Sequence, residues 1–368
     1  MKTALLHYWL TNLRGGEKVL AALGEMFPDA DVFTHAFAKA LRDAGARAPR
    51  WLGHRVFESF VARLPFGRRK PQMYLPLMPA ASRRLDLSAY DLVVSSESGP
   101  IKGIVRRPGQ RHVCYCHTPM RYVWDMRDDY YAAAGLGERL AMNLWTGYMR
   151  REDLKSAESV DEFVANSAFV AARIRRIYGR SATVVHPPVD VARFAGDWEK
   201  GEHYLLAGEL VAYKRPDLAL AACAKMGRKI VVLGRGRLRA RLARQYAGDP
   251  RVTFLGRVDD DALREAYGRA RALLFPGVED FGIVPVEAQA AGTPVVAFGR
   301  GGALETVKDG ETGLFFREQT VDALCGALEE FESRAWSAAA CRASAARFGK
   351  ARFQAEMRKV IGEGGYLR

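Results

Sequence analysis

Short apolar runs recur along this chain, each followed by a longer stretch with helical spacing. They fall at 3–6, 92–95, 112–116 and 162–165 in the first half, and at 204–207, 229–233, 252–255, 272–275 and 295–298 in the second. Continuous aliphatic runs of this length suit a strand buried on both faces. The amphipathic segments 17–26, 140–157, 168–178, 216–224 and 260–269 supply the crossovers that parallel neighbours need. The alternation predicts an α/β fold with a doubly wound parallel sheet in each half. At 368 residues the chain exceeds one comfortable core, so two domains are expected. Val184-Val-His-Pro-Pro-Val-Asp190 marks the join, because consecutive prolines continue neither strand nor helix. The expected division is 1–185 and 186–345, with the basic segment 346–368 as a final helix.

Composition narrows the partners. The net charge of +14 favours anions such as phosphorylated small molecules or acidic lipid. Nothing resembles a helix-turn-helix, zinc finger or RNA-recognition motif, which sets nucleic acid aside. No apolar run approaches the ~18–20 residues that span a bilayer. Residues 1–10 lack a small-residue cleavage site and read as a first strand, not a signal peptide. Five scattered cysteines argue for reduced thiols in the cytoplasm. Cys114 and Cys116 are expected on opposite sides of one strand. Asp29-Ala-Asp31 reads as a helix-to-strand turn and Asp259-Asp-Asp261 as a helix cap, so no metal is expected.

The most informative block is Arg271-Ala-Leu-Leu-Phe-Pro-Gly-Val-Glu-Asp-Phe-Gly-Ile-Val-Pro-Val-Glu287. A buried strand stops at Pro276 and Gly277, and Pro285 suits the first turn of the next helix. Glu279 is then expected in a loop at a strand's carboxyl end, with Glu287 in the first turn of the helix. The backbone N–H groups of Phe281, Gly282 and Ile283 lie between them. Open α/β sheets bind ligands at this end of their strands, and carboxylates suit hydroxyl-rich ligands because each accepts several O–H bonds. Ala-Gly-Thr-Pro-Val-Val and Gly-Gly-x-x-Glu-Thr-Val follow.

Together these residues resemble the retaining, nucleotide-sugar-dependent glycosyltransferases of family 4. Those proteins have the GT-B fold, two Rossmann-like domains facing each other across a cleft, and carry Glu-x7-Glu at this position. The resemblance implies that Glu287 holds the donor's ribose and Glu279 the hydroxyls of its sugar. Leu206-Ala-Gly-Glu-Leu-Val-Ala-Tyr-Lys-Arg-Pro-Asp217 corresponds to the family's diphosphate clamp, with Lys214 on the leaving diphosphate. Glu209 stands where many relatives have arginine; Arg215 compensates, or Glu209 turns away. Gly15 and Gly16, in Leu13-Arg-Gly-Gly-Glu-Lys18, match a loop that approaches the donor diphosphate at a helix N-terminus. Gly234 and Val258 sit in loops that flank the nucleotide in the family. Asn166 and Ser167 read as helix-cap residues.

Cys114-Tyr-Cys-His-Thr-Pro-Met-Arg-Tyr-Val-Trp-Asp125 resembles the His-Thr-Pro segment of polysaccharide mannosyltransferases in the family. It implies that His117 lies beside the transferred sugar, with aromatics stacking on a sugar face and Arg121 and Asp125 bonding acceptor groups. The implied function is retaining transfer of mannose from GDP-mannose to a polyprenyl-diphosphate-linked saccharide in bacterial surface-polysaccharide assembly, with no tightly bound cofactor. A UDP-sugar donor, or sugar-nucleotide binding without transfer, are the alternatives. The mixed cationic and apolar segment 63–84, with Arg68, Arg69 and Lys70, fits peripheral contact with an anionic membrane at its cytoplasmic face.

Overall fold

The computed structural model describes residues 1–13, 15–42, 53–128, 131 and 134–362. Arg14 of the glycine loop and residues 363–368 of the expected final helix lie outside the described residues. The chain divides into two units, Met1–Pro188 with Lys350–Arg368, and Val189–Gly349.

In the first unit, β1 (Thr3–His7), β2 (Asp31–Thr34), β3 (Val56–Glu58), β4 (Leu92–Glu97), β5 (Arg111–Cys116), β6 (Glu162–Ala165) and β7 (Ala182–Val184) form one sheet. Its order is β3-β2-β1-β4-β5-β6-β7. The second unit's sheet takes β8 (Tyr204–Ala207), β9 (Ile230–Leu233), β10 (Val252–Gly256), β11 (Leu273–Phe275), β12 (Val295–Phe298) and β13 (Gly313–Phe316) in the order β10-β9-β8-β11-β12-β13. Every pairing in both sheets is parallel. Each order reverses direction once, between β1 and β4 and between β8 and β11. At such a point the connections leave to opposite faces and open a crevice at the strands' carboxyl ends.

The apolar runs follow from burial on both faces. In β8, Tyr204 and Leu206 enter one core cluster and Leu205 the other. In β11, Leu274 joins the first cluster while Leu273 and Phe275 join the second. The same two-residue period corrects one expectation in the first unit. Cys114 and Cys116 lie in a single cluster with Phe163 and Val170, while Tyr115 between them faces the other core. Residues two apart on a strand share a face.

Helix Lys350–Gly362 belongs to the first unit. Its buried stripe of Phe353, Met357, Val360 and Ile361 repeats at helical spacing and packs with Val19, Leu20 and Leu23 of helix Gly15–Met26. Phe353 meets the Tyr115 ring edge-on at 5.7 Å between centroids. The Arg111 guanidinium donates to the Val360 carbonyl at 2.9 Å, and Gln354 Nε2 donates to the Ala22 carbonyl at 3.2 Å. Phe353→Ala is expected to destabilise the first unit by about 3–5 kcal/mol through lost burial and a residual cavity. Chemical denaturation followed by tyrosine and tryptophan signals checks this; a loss below ~1 kcal/mol would remove the helix from the core.

Candidate functional site

The switch point of the second sheet gathers the residues with the sharpest chemistry. Glu279 follows β11, and Lys214 ends the short helix Ala212–Lys214 after β8. Their side chains form an ion pair, Lys214 Nζ to Glu279 Oε1 at 2.8 Å. The sequence offers them as separate contacts, 65 residues apart. Adjacent parallel strands bring them together. A recess here is lined by Gly208, Glu209, Lys214, Gly277 and Glu279. Burial pulls the Lys214 ammonium down, but the Glu279 carboxylate, with smaller help from Tyr213 and Glu209, holds it above the usual lysine range. It is therefore a cation throughout the physiological range.

Backbone crowding fixes the recess. A Cβ at Gly277 would stand 2.5 Å from the Lys214 Cα, and one at Gly234 would stand 1.8 Å from the Gly208 carbonyl oxygen. Two glycines thus let the loops after β8, β9 and β11 touch without side chains between them. Glu209 is exposed on the rim of this recess. Arg215 adopts a left-handed conformation at φ 52° and pairs with Asp217 at 3.1 Å. Its charge is already engaged at the start of helix Pro216–Met226.

Glu287 departs from expectation. Helix Ile283–Ala290 begins at Ile283, after Gly282 at φ 86°. Pro285 is therefore the third helical residue and Glu287 the fifth, one turn in. Its side chain is buried, and the Tyr267 hydroxyl donates to Glu287 Oε2 at 3.1 Å. Tyr267 comes from helix Asp260–Arg269, and its ring stands edge-on to Phe194. No local motif announces Tyr267, since its partner lies twenty residues on. Phe281 is buried in the β11-side cluster, and Val258 packs partly against the same cluster. Asp259 accepts from the Ala262 N–H at 2.9 Å as a helix cap.

The first unit places His117 directly after β5. Its Nε2 lies 2.9 Å from Ser96 Oγ on β4. Its N–H donates to the Glu97 carbonyl at 2.9 Å, and its carbonyl accepts from Asn166 Nδ2 at 2.9 Å. Asn166 thus fastens His117, while Ser167 accepts from the Val170 N–H to cap helix Ala168–Tyr178. Burial pushes His117 down to about 3, aided by His7 and Arg121 and opposed by Glu17. At neutral pH it is an uncharged imidazole, able to donate at one nitrogen and accept at the other. Gly15 opens helix Gly15–Met26, and a Cβ at Gly16 would approach His7 Cε1 to 3.3 Å and His117 Nε2 to 3.4 Å. Glu17 in the same first turn is buried, with one carboxylate oxygen 3.7 Å from His7 Nε2.

Asp125, expected at acceptor groups, and Trp124, among the aromatics expected on a sugar face, both have internal partners. The Trp124 indole N–H donates to Asp153 Oδ2 at 2.8 Å, and Arg150 sits over its ring. Asp125 pairs with Arg173 and Arg176. Behind this segment lies a buried polar group that the sequence did not disclose. Lys102 Nζ is 2.7 Å from Asp153 and 3.3 Å from Glu97; the Tyr178 hydroxyl donates to Asp153; the Gly99 N–H donates to Glu97 at 2.7 Å. Asp153 lies 51 residues beyond Lys102, and Tyr178 another 25 beyond Asp153, so no spacing rule reveals the group. In the basic segment, Arg68 is held by Glu58 at 2.7 Å, while Arg69 and Lys70 are exposed. Among the described residues no cluster suited to a metal occurs, and no helix is long and apolar enough to cross a membrane.

Burial raises Glu97 to about 7 from 4.5, with Lys102 opposing the shift and Asp153 and the nearby Cys114 and Tyr178 completing its surroundings. A carboxyl whose folded pKa lies above its unfolded value keeps its proton longer in the folded chain. Its contribution is full below pH 4.5 and lost as pH rises through about 7. Relative to Glu97→Gln, the native chain is expected to lose roughly 2–3 kcal/mol of first-unit stability across that window. Denaturation curves at pH 5 and 8 measure it, and a pH-independent difference would refute the assignment.

Comparison with known proteins places both units. Residues 13–193 match the family model described as Glycosyltransferase Family 4, and residues 190–349 match that of glycosyl transferases group 1. The chain is 32% identical over 203 residues to the D-inositol 3-phosphate glycosyltransferase of Rhodococcus erythropolis, covering 47% of this chain and 46% of that one. It is 35% identical over 193 residues to the protein of that name from Nocardia farcinica, covering 44% and 43%. These matches span about half the length of the curated relatives. Among solved structures, HepE of Anabaena in complex with UDP and glucose superposes with a TM-score of 0.71 at 16% identity, covering 100% of both chains. The sucrose-phosphate synthase of Thermosynechococcus elongatus gives 0.69 at 19%, covering 99% of both. At these identities the likeness concerns the fold, which is GT-B.

Proposed function

Since its two halves match these models in turn, the chain is a family 4-like glycosyltransferase, and we propose that it moves a sugar from a nucleoside-diphosphate donor with retention at the anomeric carbon. The observation that carries this reading is the juxtaposition of Lys214 and Glu279 at the β8/β11 switch point, with buried Glu287 one turn into the adjoining helix. In this reading Lys214, kept cationic by its surroundings, steadies the charge that grows on the departing diphosphate. Glu279 accepts hydroxyls of the donor sugar, and Glu287, oriented by Tyr267, accepts those of the ribose. The leaving phosphate takes the acceptor's proton. His117 serves the transferred sugar as a neutral hydrogen-bonding group, not as a charge.

The donor proposed is GDP-mannose, on the resemblance of the His117-Thr-Pro-x-Arg-Tyr and Tyr213-Lys-Arg runs to mannosyltransferases. A UDP-sugar is the second reading, favoured by the neighbours solved with UDP. The acceptor proposed is a lipid-linked saccharide, reached at an anionic membrane surface through Arg69 and Lys70. The curated relatives are named for an inositol 3-phosphate acceptor, and either acceptor is anionic, in keeping with the net charge of +14.

A ligand that binds only the folded chain raises its melting temperature in step with its affinity. In a thermal-shift screen against GDP, UDP, ADP, GDP-mannose and UDP-glucose, one nucleotide and its sugar conjugate are expected to raise the melting temperature. Glu287→Ala is expected to abolish that rise. A rise that survives the substitution removes Glu287 from the ribose, and binding without donor hydrolysis or transfer to any acceptor leaves a sugar-nucleotide-binding protein.

A further inference from the structure

The Lys214–Glu279 pair sets the terms on which any diphosphate enters the recess. The ammonium and carboxylate are in direct contact at 2.8 Å and each about one-fifth exposed, 20% and 19%. Lys214 has little room to withdraw, because its backbone is wedged against Gly277 and a Cβ there would fall 2.5 Å from its Cα. The stem starts from a pinned point, so the ammonium stays near the recess. A diphosphate approaching Lys214 therefore competes with the Glu279 carboxylate for the same donors.

We propose that Glu279 discriminates the sugar-bearing donor from the spent nucleoside diphosphate, because its carboxylate already occupies the cation that a diphosphate needs. This rests on the function proposed above and adds a specificity to it. A nucleoside diphosphate alone takes Lys214 and leaves Glu279 partly desolvated without a replacement partner. A nucleotide sugar takes Lys214 but brings hydroxyls, and the displaced carboxylate accepts from them. Only the complete donor repays the broken pair. Binding to a form of which only a fraction has Lys214 available weakens apparent affinity by that fraction. After transfer the sugar is gone, Glu279 returns to Lys214, and product leaves.

The test is calorimetric titration of the full chain with GDP, UDP, GDP-mannose and UDP-glucose, for the native protein, Glu279→Gln and Glu209→Gln. Glu209→Gln removes a negative charge from the same recess and leaves the 2.8 Å pair intact. Glu279→Gln is expected to bind the preferred free diphosphate roughly two- to fivefold more tightly than the native chain, the order expected for one released ion pair. It is also expected to bind the corresponding sugar conjugate more weakly. Glu279→Asp, whose shorter side chain draws back from Lys214, is expected to tighten diphosphate binding in the same direction and covers the case in which Glu279→Gln folds poorly. Unchanged or weaker diphosphate binding in both Glu279 variants overturns the proposal. So does an equal gain in Glu209→Gln, which would make the effect one of net charge. If the native chain binds no nucleotide, the proposed function falls and this inference with it; if it binds nucleotide and the Glu279 variants behave as native, only the inference falls.

Discussion

Parallel pairing of β8 with β11 is the constraint on which the candidate chemistry depends. The two strands are separated by about seventy residues of chain, including two other strands and their helices. They lie side by side because the sheet adds strands outward in one direction and then reverses. A reversal in a parallel sheet leaves two loops diverging from neighbouring strand ends, with nothing between them. Into that gap this chain sends the Lys214 cation and the Glu279 carboxylate, with Glu209 at the rim, and glycines at 234 and 277 let the backbones close in. The same rule acts in the first sheet, where His7 ends β1 and Ser96 and Glu97 end β4.

Much of this was legible before any coordinates. The apolar runs mark strands because strands buried on both faces cannot alternate with polar residues. Helices 168–178 and 260–269 carry their own starts, with Ser167 and Asp259 as caps. Other elements hide for physical reasons. β3, β7 and β13 are three or four residues long, and β3 and β7 lie at the sheet's edges where burial writes a weaker pattern. The site divides in the same way. Glu279, Lys214 and His117 sit in motifs and could be named from sequence. That Lys214 and Glu279 touch, that Tyr267 orients Glu287, and that Trp124 and Asp125 serve internal partners are facts of tertiary adjacency.

The electrostatics separate the two units by the charge they present. In the second, burial lowers Lys214, but the adjoining Glu279 outweighs it and holds the ammonium above the usual lysine range. In the first, burial prevails at His117, which stays neutral, and at Glu97, which hovers near neutrality despite Lys102. The group around Lys102 joins β4, the segment after His117 and two helices through charged bonds. Such a buried group is costly to form and more costly to leave incomplete. It reaches the Thr118–Trp124 stretch through the Trp124 indole N–H and so braces the segment that follows His117.

The return of helix Lys350–Gly362 to the first unit has a bearing on how the molecule is made. Synthesis runs from the amino end, yet Tyr115 and the face of helix Gly15–Met26 stay uncovered until Phe353 and Met357 have emerged. The second unit, whose segment is contiguous, is complete before the first one is. Of the two units, the one begun earlier is therefore sealed later, and the nascent chain carries an apolar seam until this helix follows.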